Sequence, residues 1–139
     1  AEMALALEYD VTLCDPRPKY LDNWFVLGVE TTSRLPDDVV RQYFSNPYSG
    51  IIALAHDPRV DDMALMEALK TDAFYIGAMG SDRTSAARRV RLPELGLTQK
   101  EIDTLHAPIG FNIESKTPAE IAISIMAEVT AVRHNVKLI

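Results

Sequence analysis

The chain has 139 residues, 47% hydrophobic and 24% charged, which is ample for one core and too apolar for a disordered segment. Its net charge of -6 excludes general nucleic-acid binding, which needs a basic surface, and opposes docking on anionic lipid. No apolar run approaches the ~20 residues that cross a bilayer. Ala1–Leu7 lacks the basic start of a signal peptide, so a soluble, cytoplasmic domain without a membrane partner is expected.

In chain order, Glu2–Tyr9 reads as the end of a helix feeding the first visible strand, Val11–Cys14, which Asp15-Pro16 closes. Cys14 is the single cysteine, so no internal disulfide or multi-cysteine metal cage forms; inside an apolar run it reads as a small hydrophobe. Trp24–Val29 is a second strand candidate. Pro36-Asp37-Asp38 opens a helix with acids in its first turn, and Ser45-Asn46-Pro47 stops it.

Ile51–Ala55 shows no polar alternation, as expected when both faces of a parallel sheet are covered. Asp61-Asp62 begins a helix with Leu65, Met66 and Leu69 inward. Ala73–Met79 is another apolar strand, running through Gly77 and Gly80 into a helix over Thr84–Arg91. Thr98–Glu101 and Thr117–Glu120 have capping-box spacing, and the last helix runs to about Val132. Strands alternating with helices predict an α/β fold, a doubly wound, Rossmann-like parallel sheet spanning 1–139 as a single domain.

In such a fold the helix at Glu2–Tyr9 should follow a strand and a glycine-rich turn, and neither is present. In the usual strand order the absent strand lies between the runs at Val11 and Ile51. Its loss leaves unpaired edges, so a fragment of a longer protein is expected, the strand coming from other residues or another chain.

Ligands of open parallel sheets bind beyond the carboxyl ends of the strands. Asp15 stands where an acid takes a ribose hydroxyl pair, or merely makes the turn before proline. Arg17 either clamps a phosphate or is solvated. His56 and Asp57 follow the Ile51 strand; with Asp61 and Asp62 they suggest a metal site only weakly, because acids at a helix start are explained by its dipole.

The segment Gly77-Ala78-Met79-Gly80-Ser81-Asp82-Arg83-Thr84 is more specific. A buried strand passes through two glycines into a helix whose free N–H groups favour phosphate or carboxylate, with donors added by Ser81, Arg83 and Thr84. Close packing alone also explains such glycines. Arg88, Arg89 and Arg91 span several directions, so some are expected in solvent. His106 and Gly110 lie in a stiff loop returning to the same edge. In the last helix, Glu120, Ser124 and Glu128 form a narrow polar stripe. Its largely apolar circumference predicts burial on more than one side, against the core and a second surface.

Taken together, His56-Asp57-Pro58 with Asp61-Asp62, the run from Tyr75 to Ser81 with Arg83-Thr84, His106–Gly110, and Lys116–Ala122 with Ser124-Ile125 and Ala127-Glu128 resemble one family. It is the C-terminal Rossmann domain of the xanthine dehydrogenase accessory factors (XdhC/CoxI type). Asp15-Pro16-Arg17-Pro18 resembles that family's turn after its second strand. Two positions depart: Glu114-Ser115 stands where the family often has glycine and a small residue, and Asp82 replaces an often basic residue.

The resemblance implies a molybdenum-cofactor chaperone that binds the molybdopterin cofactor, supports its sulfuration and delivers it to molybdenum hydroxylases such as xanthine dehydrogenase. A sulfurtransferase and a second copy of the chain are further implied partners. No nucleophile–base pair stands out, so binding and transfer rather than catalysis is expected. The alternatives are an oxidoreductase domain using NAD(P), with Asp15 on the adenosine ribose, and a non-catalytic scaffold that dimerises or docks through the last helix.

Overall fold

Parallel strand pairs joined by helical crossovers organise the computed structural model, which describes residues 1–136. The elements are α1 (Glu2–Ala6), β1 (Val11–Cys14), β2 (Val29–Thr32), α2 (Pro36–Tyr43), β3 (Gly50–Ala53) and α3 (Pro58–Ala68). They continue as β4 (Tyr75–Ala78), α4 (Asp82–Arg91), α5 (Gln99–Ile102) and α6 (Pro118–Arg133). β1 pairs with β2 and β3 with β4, both parallel. Among the described residues the two pairs are not hydrogen-bonded to each other as one sheet. The fold is α/β and Rossmann-like.

β3 and β4 match Ile51 to Ile76 and Ala53 to Ala78, which turn one way into a core with Leu65, Ala68, Leu92, Ile102 and Leu105. Tyr75 and Gly77 turn the other way, and Tyr75 packs with Ile125, Met126 and Val129 of α6. Covering both faces is why this strand is apolar without alternation. An extended residue, His106, adds to the far edge of β4. Its N–H donates to Ile76 O at 2.9 Å, and its carbonyl accepts from Ala78 N at 3.0 Å. On the α6 side, Ile52 and Leu54 remain 37% and 46% exposed.

Several boundaries differ from the sequence reading. The second strand is Val29–Thr32 rather than Trp24–Val29. Gly28, at φ +84°, turns the chain just before it and leaves Phe25 and Leu27 outside, 79% and 91% exposed. α3 starts before Asp61, because Asp57 accepts from Arg59 N and Pro58 takes the first helical position. α4 starts at Asp82, capped by Ser81 through Thr84 N. Both expected capping boxes are present, at Thr98/Glu101 and Thr117/Glu120.

Two residues of the polar stripe of α6, Ser124 and Glu128, face inward and are buried, whereas Glu120 at the helix start is exposed and Ile123 is 51% exposed. The reason lies beneath the helix. Gly110 packs so tightly on Ser124 that a Cβ there would stand 2.5 Å from its Oγ, and Glu128 receives hydrogen bonds from the sheet side.

Candidate functional site

The carboxyl ends of β1, β3 and β4 carry most of the residues singled out from sequence. After β1, Asp15 accepts two bonds from the Arg17 guanidinium, both 2.9 Å, and one from the Arg17 amide at 3.0 Å. The same guanidinium lies 4.1 Å over the Tyr20 ring. That pairing holds the Asp15 carboxyl below the usual carboxylate range. Neither group stands free for a ribose or a phosphate.

Arg17 also reaches Asp57, after β3, at 3.6 Å, so one ion pair links the two strand pairs at this edge. Asp57 is itself paired with Arg59 at 3.0 Å, which lowers its pKa, and it caps α3. His56 beside it is exposed at the loop and adopts a left-handed backbone, φ +58°, a conformation histidine tolerates better than most residues.

β3 and β4 stay in register to their ends, where Met79 N donates to Ala53 O at 2.9 Å. The loops beyond them are tied by a buried ionic cluster. Asp61 accepts from Ala55 N at 3.0 Å, and Arg88, 2% exposed, donates to Met79 O at 3.3 Å. The Arg88 guanidinium lies 3.8 Å from Asp61 and 3.5 Å from Asp62, and Arg91 reaches Asp62 at 2.8 Å. Burial pushes the Asp61 carboxyl up. This cluster escaped the sequence reading, which gave Asp61-Asp62 to the helix dipole and left part of the arginine run in solvent. Arg89 is also committed, donating to the carbonyls of Ile102, Leu105 and Ala107 at 3.1–3.3 Å.

Above that cluster the Gly80 turn opens α4. Ser81 accepts from Thr84 N at 3.1 Å, while the amides of Asp82 and Arg83 precede the helix's own ladder. Ser81, Asp82, Arg83 and Thr84 are exposed. The Ser85 hydroxyl is buried beside the turn with no hydrogen-bond partner among the described residues. It sits 3.7 Å from where a Gly80 Cβ would stand.

Three predicted residues lie apart from this turn. Gly77 is inside β4, and its missing side chain makes room for Ile109, whose carbons would stand 2.7 Å from a Cβ. Gly110, at φ +87°, packs on the α6 backbone. His106 stacks on Tyr75 at the start of β4, with ring centroids 4.7 Å apart. Gly80 is five steps along the chain from Tyr75, roughly 16 Å if all were extended at ~3.3 Å per residue. Those two glycines therefore shape packing, and His106 faces α6 rather than the turn.

Two concavities also lie elsewhere. One of about 220 Å³, lined by Leu69, Thr71, Phe74, Ile76, Lys100 and Thr104, sits at the amino end of β4. A groove of about 530 Å³ runs between α1 and α6 over Met3, Leu7, Ile123, Met126, Ala127 and Ala131.

Parallel strands, helical crossovers and loops gathered at the carboxyl edge define a Rossmann-type binding domain. The comparisons give it a family: the XdhC Rossmann domain model matches residues 1–129, and the chain belongs to that family. It is 35% identical over 85 residues to the molybdenum cofactor insertion chaperone PaoD of Escherichia coli K12, covering 61% of this chain and 27% of PaoD. A protein of Bacillus subtilis 168 named as a probable xanthine dehydrogenase component is 25% identical over 141 residues, covering 100% of this chain and 40% of its own. A crystal structure described as a xanthine dehydrogenase from Bacillus halodurans superposes with a TM-score of 0.78 at 27% identity, covering 98% of this chain and 39% of that one. The chain thus spans less than half the length of each of these relatives. Among the described residues no helix is long and apolar enough to cross a membrane.

Proposed function

We propose that this domain binds the molybdenum cofactor as cargo and serves its insertion into a molybdenum hydroxylase of the xanthine dehydrogenase type. The observation that carries the reading is the Gly80 turn. Two helix-start amides, the exposed Arg83 and an orphaned buried hydroxyl, Ser85, meet there beyond the carboxyl end of β4. The donor set fits a phosphate-bearing tail, since helix-start amides and a guanidinium both favour such an anion. The amides of Asp82 and Arg83 and the Arg83 side chain would hold it, with His56 at the neighbouring loop. Asp82, exposed in the same turn, works against an anion and limits the affinity of this end of the site. The chaperone name of the Escherichia coli relative supports the choice of cargo.

Titration of the intact protein with the cofactor tests this. Arg83→Ala is expected to weaken binding about tenfold, the scale of one lost charge-assisted hydrogen bond of roughly 1.5 kcal/mol. Gly80→Val places its Cβ 3.2 Å from Thr84 and is expected to weaken binding as well. Unchanged affinity in both variants overturns the placement.

A second reading has one specific support. The groove between α1 and α6 leaves Ile123 and Leu7 exposed, which suits docking of another surface, a second copy or the recipient enzyme. The NAD(P) alternative loses its main argument, because Arg17 already occupies both Asp15 oxygens.

A further inference from the structure

The ladder between β3 and β4 ends at one bond, Met79 N donating to Ala53 O at 2.9 Å, and the chains then part into the loops that carry Gly80 and His56. Among the described residues no other hydrogen bond runs directly between those loops. What joins them lies underneath. Arg88 shares the buried face of α4 with Ser85. Its guanidinium donates to Met79 O at 3.3 Å, the carbonyl of the peptide unit that leads into Gly80. It forms ion pairs with Asp61 at 3.8 Å and with Asp62 at 3.5 Å. Asp61 in turn accepts at 3.0 Å from Ala55 N, the amide just before His56.

Two effects could link this arginine to an anion above it. The first is attraction. Arg88 and Arg91 are matched by Asp61 and Asp62, so the cluster carries no net charge and offers an anion little pull. The second is placement. A guanidinium is a rigid fork of donors, so it holds a carbonyl and a carboxylate at once in fixed directions. Burial removes most of the solvent screening from those contacts. Placement is the effect that survives.

We infer that Arg88 is a positioning residue: through Met79 O and Asp61 it sets the Gly80 turn against the His56 loop, so that a guest meets both in one arrangement. The inference rests on the reading of the Gly80 turn as the anion end of the cofactor site. Arg88 is buried and does not touch the guest, which Arg83 and the helix-start amides hold.

Two variants of the intact protein test the inference. Asp61→Leu/Arg88→Met removes both charges of the pair together, so neither is left buried without the other. Its affinity for the molybdenum cofactor is expected to be about tenfold weaker than wild type even where its urea midpoint recovers. A pair that only stabilised the fold would return the affinity along with the stability. Asp61→Asn keeps an acceptor for Ala55 N and takes the charge away from Arg88. Without cofactor, the Met79 amide is expected to exchange at least about threefold faster in this variant, relative to the α6 amides that report global opening. The substitution lies on α3, so the change reaches Met79 only through Arg88. Unchanged Met79 exchange in Asp61→Asn, or wild-type affinity in the double variant at recovered stability, overturns the inference. The exchange measurement decides the matter even if the double variant does not fold. Unchanged affinity in Arg83→Ala contradicts the site itself, whereas a weakened Arg83→Ala beside an unweakened double variant contradicts only the role of Arg88.

Discussion

Arg88 on α4 and Asp61 on α3, 2% and 3% exposed, face each other at 3.8 Å beneath the loops that follow β3 and β4. The pair joins those loops, because Asp61 also takes Ala55 N and Arg88 also holds Met79 O. Truncating Asp61 removes one of the two carboxylates beside the buried Arg88 guanidinium and the acceptor of Ala55 N, whereas replacing both partners with apolar residues leaves neither charge of the pair buried without the other. Asp61→Ala is therefore expected to lower stability by about 3 kcal/mol. The double change Asp61→Leu/Arg88→Met is expected to recover most of that loss. Urea unfolding of the single and double variants measures both, and simple additivity would contradict the coupling.

Two of the left-handed glycines, Gly96 and Gly110, predict different costs for one added methyl. At Gly96, φ +86°, a Cβ meets nothing within 4 Å, so Gly96→Ala carries only the backbone penalty, about 1 kcal/mol. At Gly110, φ +87°, the same methyl meets Ser124 Oγ at 2.5 Å and the α6 backbone at 3.1 Å. Gly110→Ala should lose about 2 kcal/mol more, within the overpacking range. Equal losses at the two positions would show that the loop moves freely off α6.

Burial first, and its bond to Glu128 second, push the Tyr75 pKa well above the ordinary tyrosine value. A raised folded-state pKa means that this contribution to stability is fully present below the unfolded value of ~10 and is lost as pH rises above it. Tyr75 should therefore ionise only as the protein unfolds. Absorbance at about 295 nm, where tyrosinate absorbs, followed with circular dichroism checks this, the coincident step disappearing in Tyr75→Phe. Full ionisation of all five tyrosines in folded protein would contradict it.

Asp15 runs the opposite way. Its folded pKa is lowered, chiefly by Arg17, so its stabilisation is present above the unfolded value of ~3.9 and is lost as pH falls through the folded one. Asp15→Asn should flatten part of the stability loss below about pH 4, within about 1 kcal/mol because the pair lies near the surface. An unchanged acid limb would mean that the pair contributes nothing.

Much of the fold was legible because the strands at Val11, Ile51 and Tyr75 are apolar without alternation and the helix starts carry proline, serine and threonine. The strand near Val29 was not, because Phe25 and Leu27 carry a hydrophobic signal without being buried. At the site, local chemistry revealed the Gly80 turn. The ionic cluster under it joins residues 27 positions apart, Asp61 and Arg88, and its pairing depends on how α3 and α4 meet. The His106–Glu128 contact is hidden for the same reason: the polar stripe of α6 was visible, but not that Ser124 and Glu128 turn inward.

Hydrogen exchange of the intact protein, with and without the molybdenum cofactor, tests the account most directly. Protection on binding is expected in the peptides covering Met79–Thr84 and Ala55–Asp57. Protection confined to α1 and α6, with Met79–Thr84 exchanging as before, would contradict it.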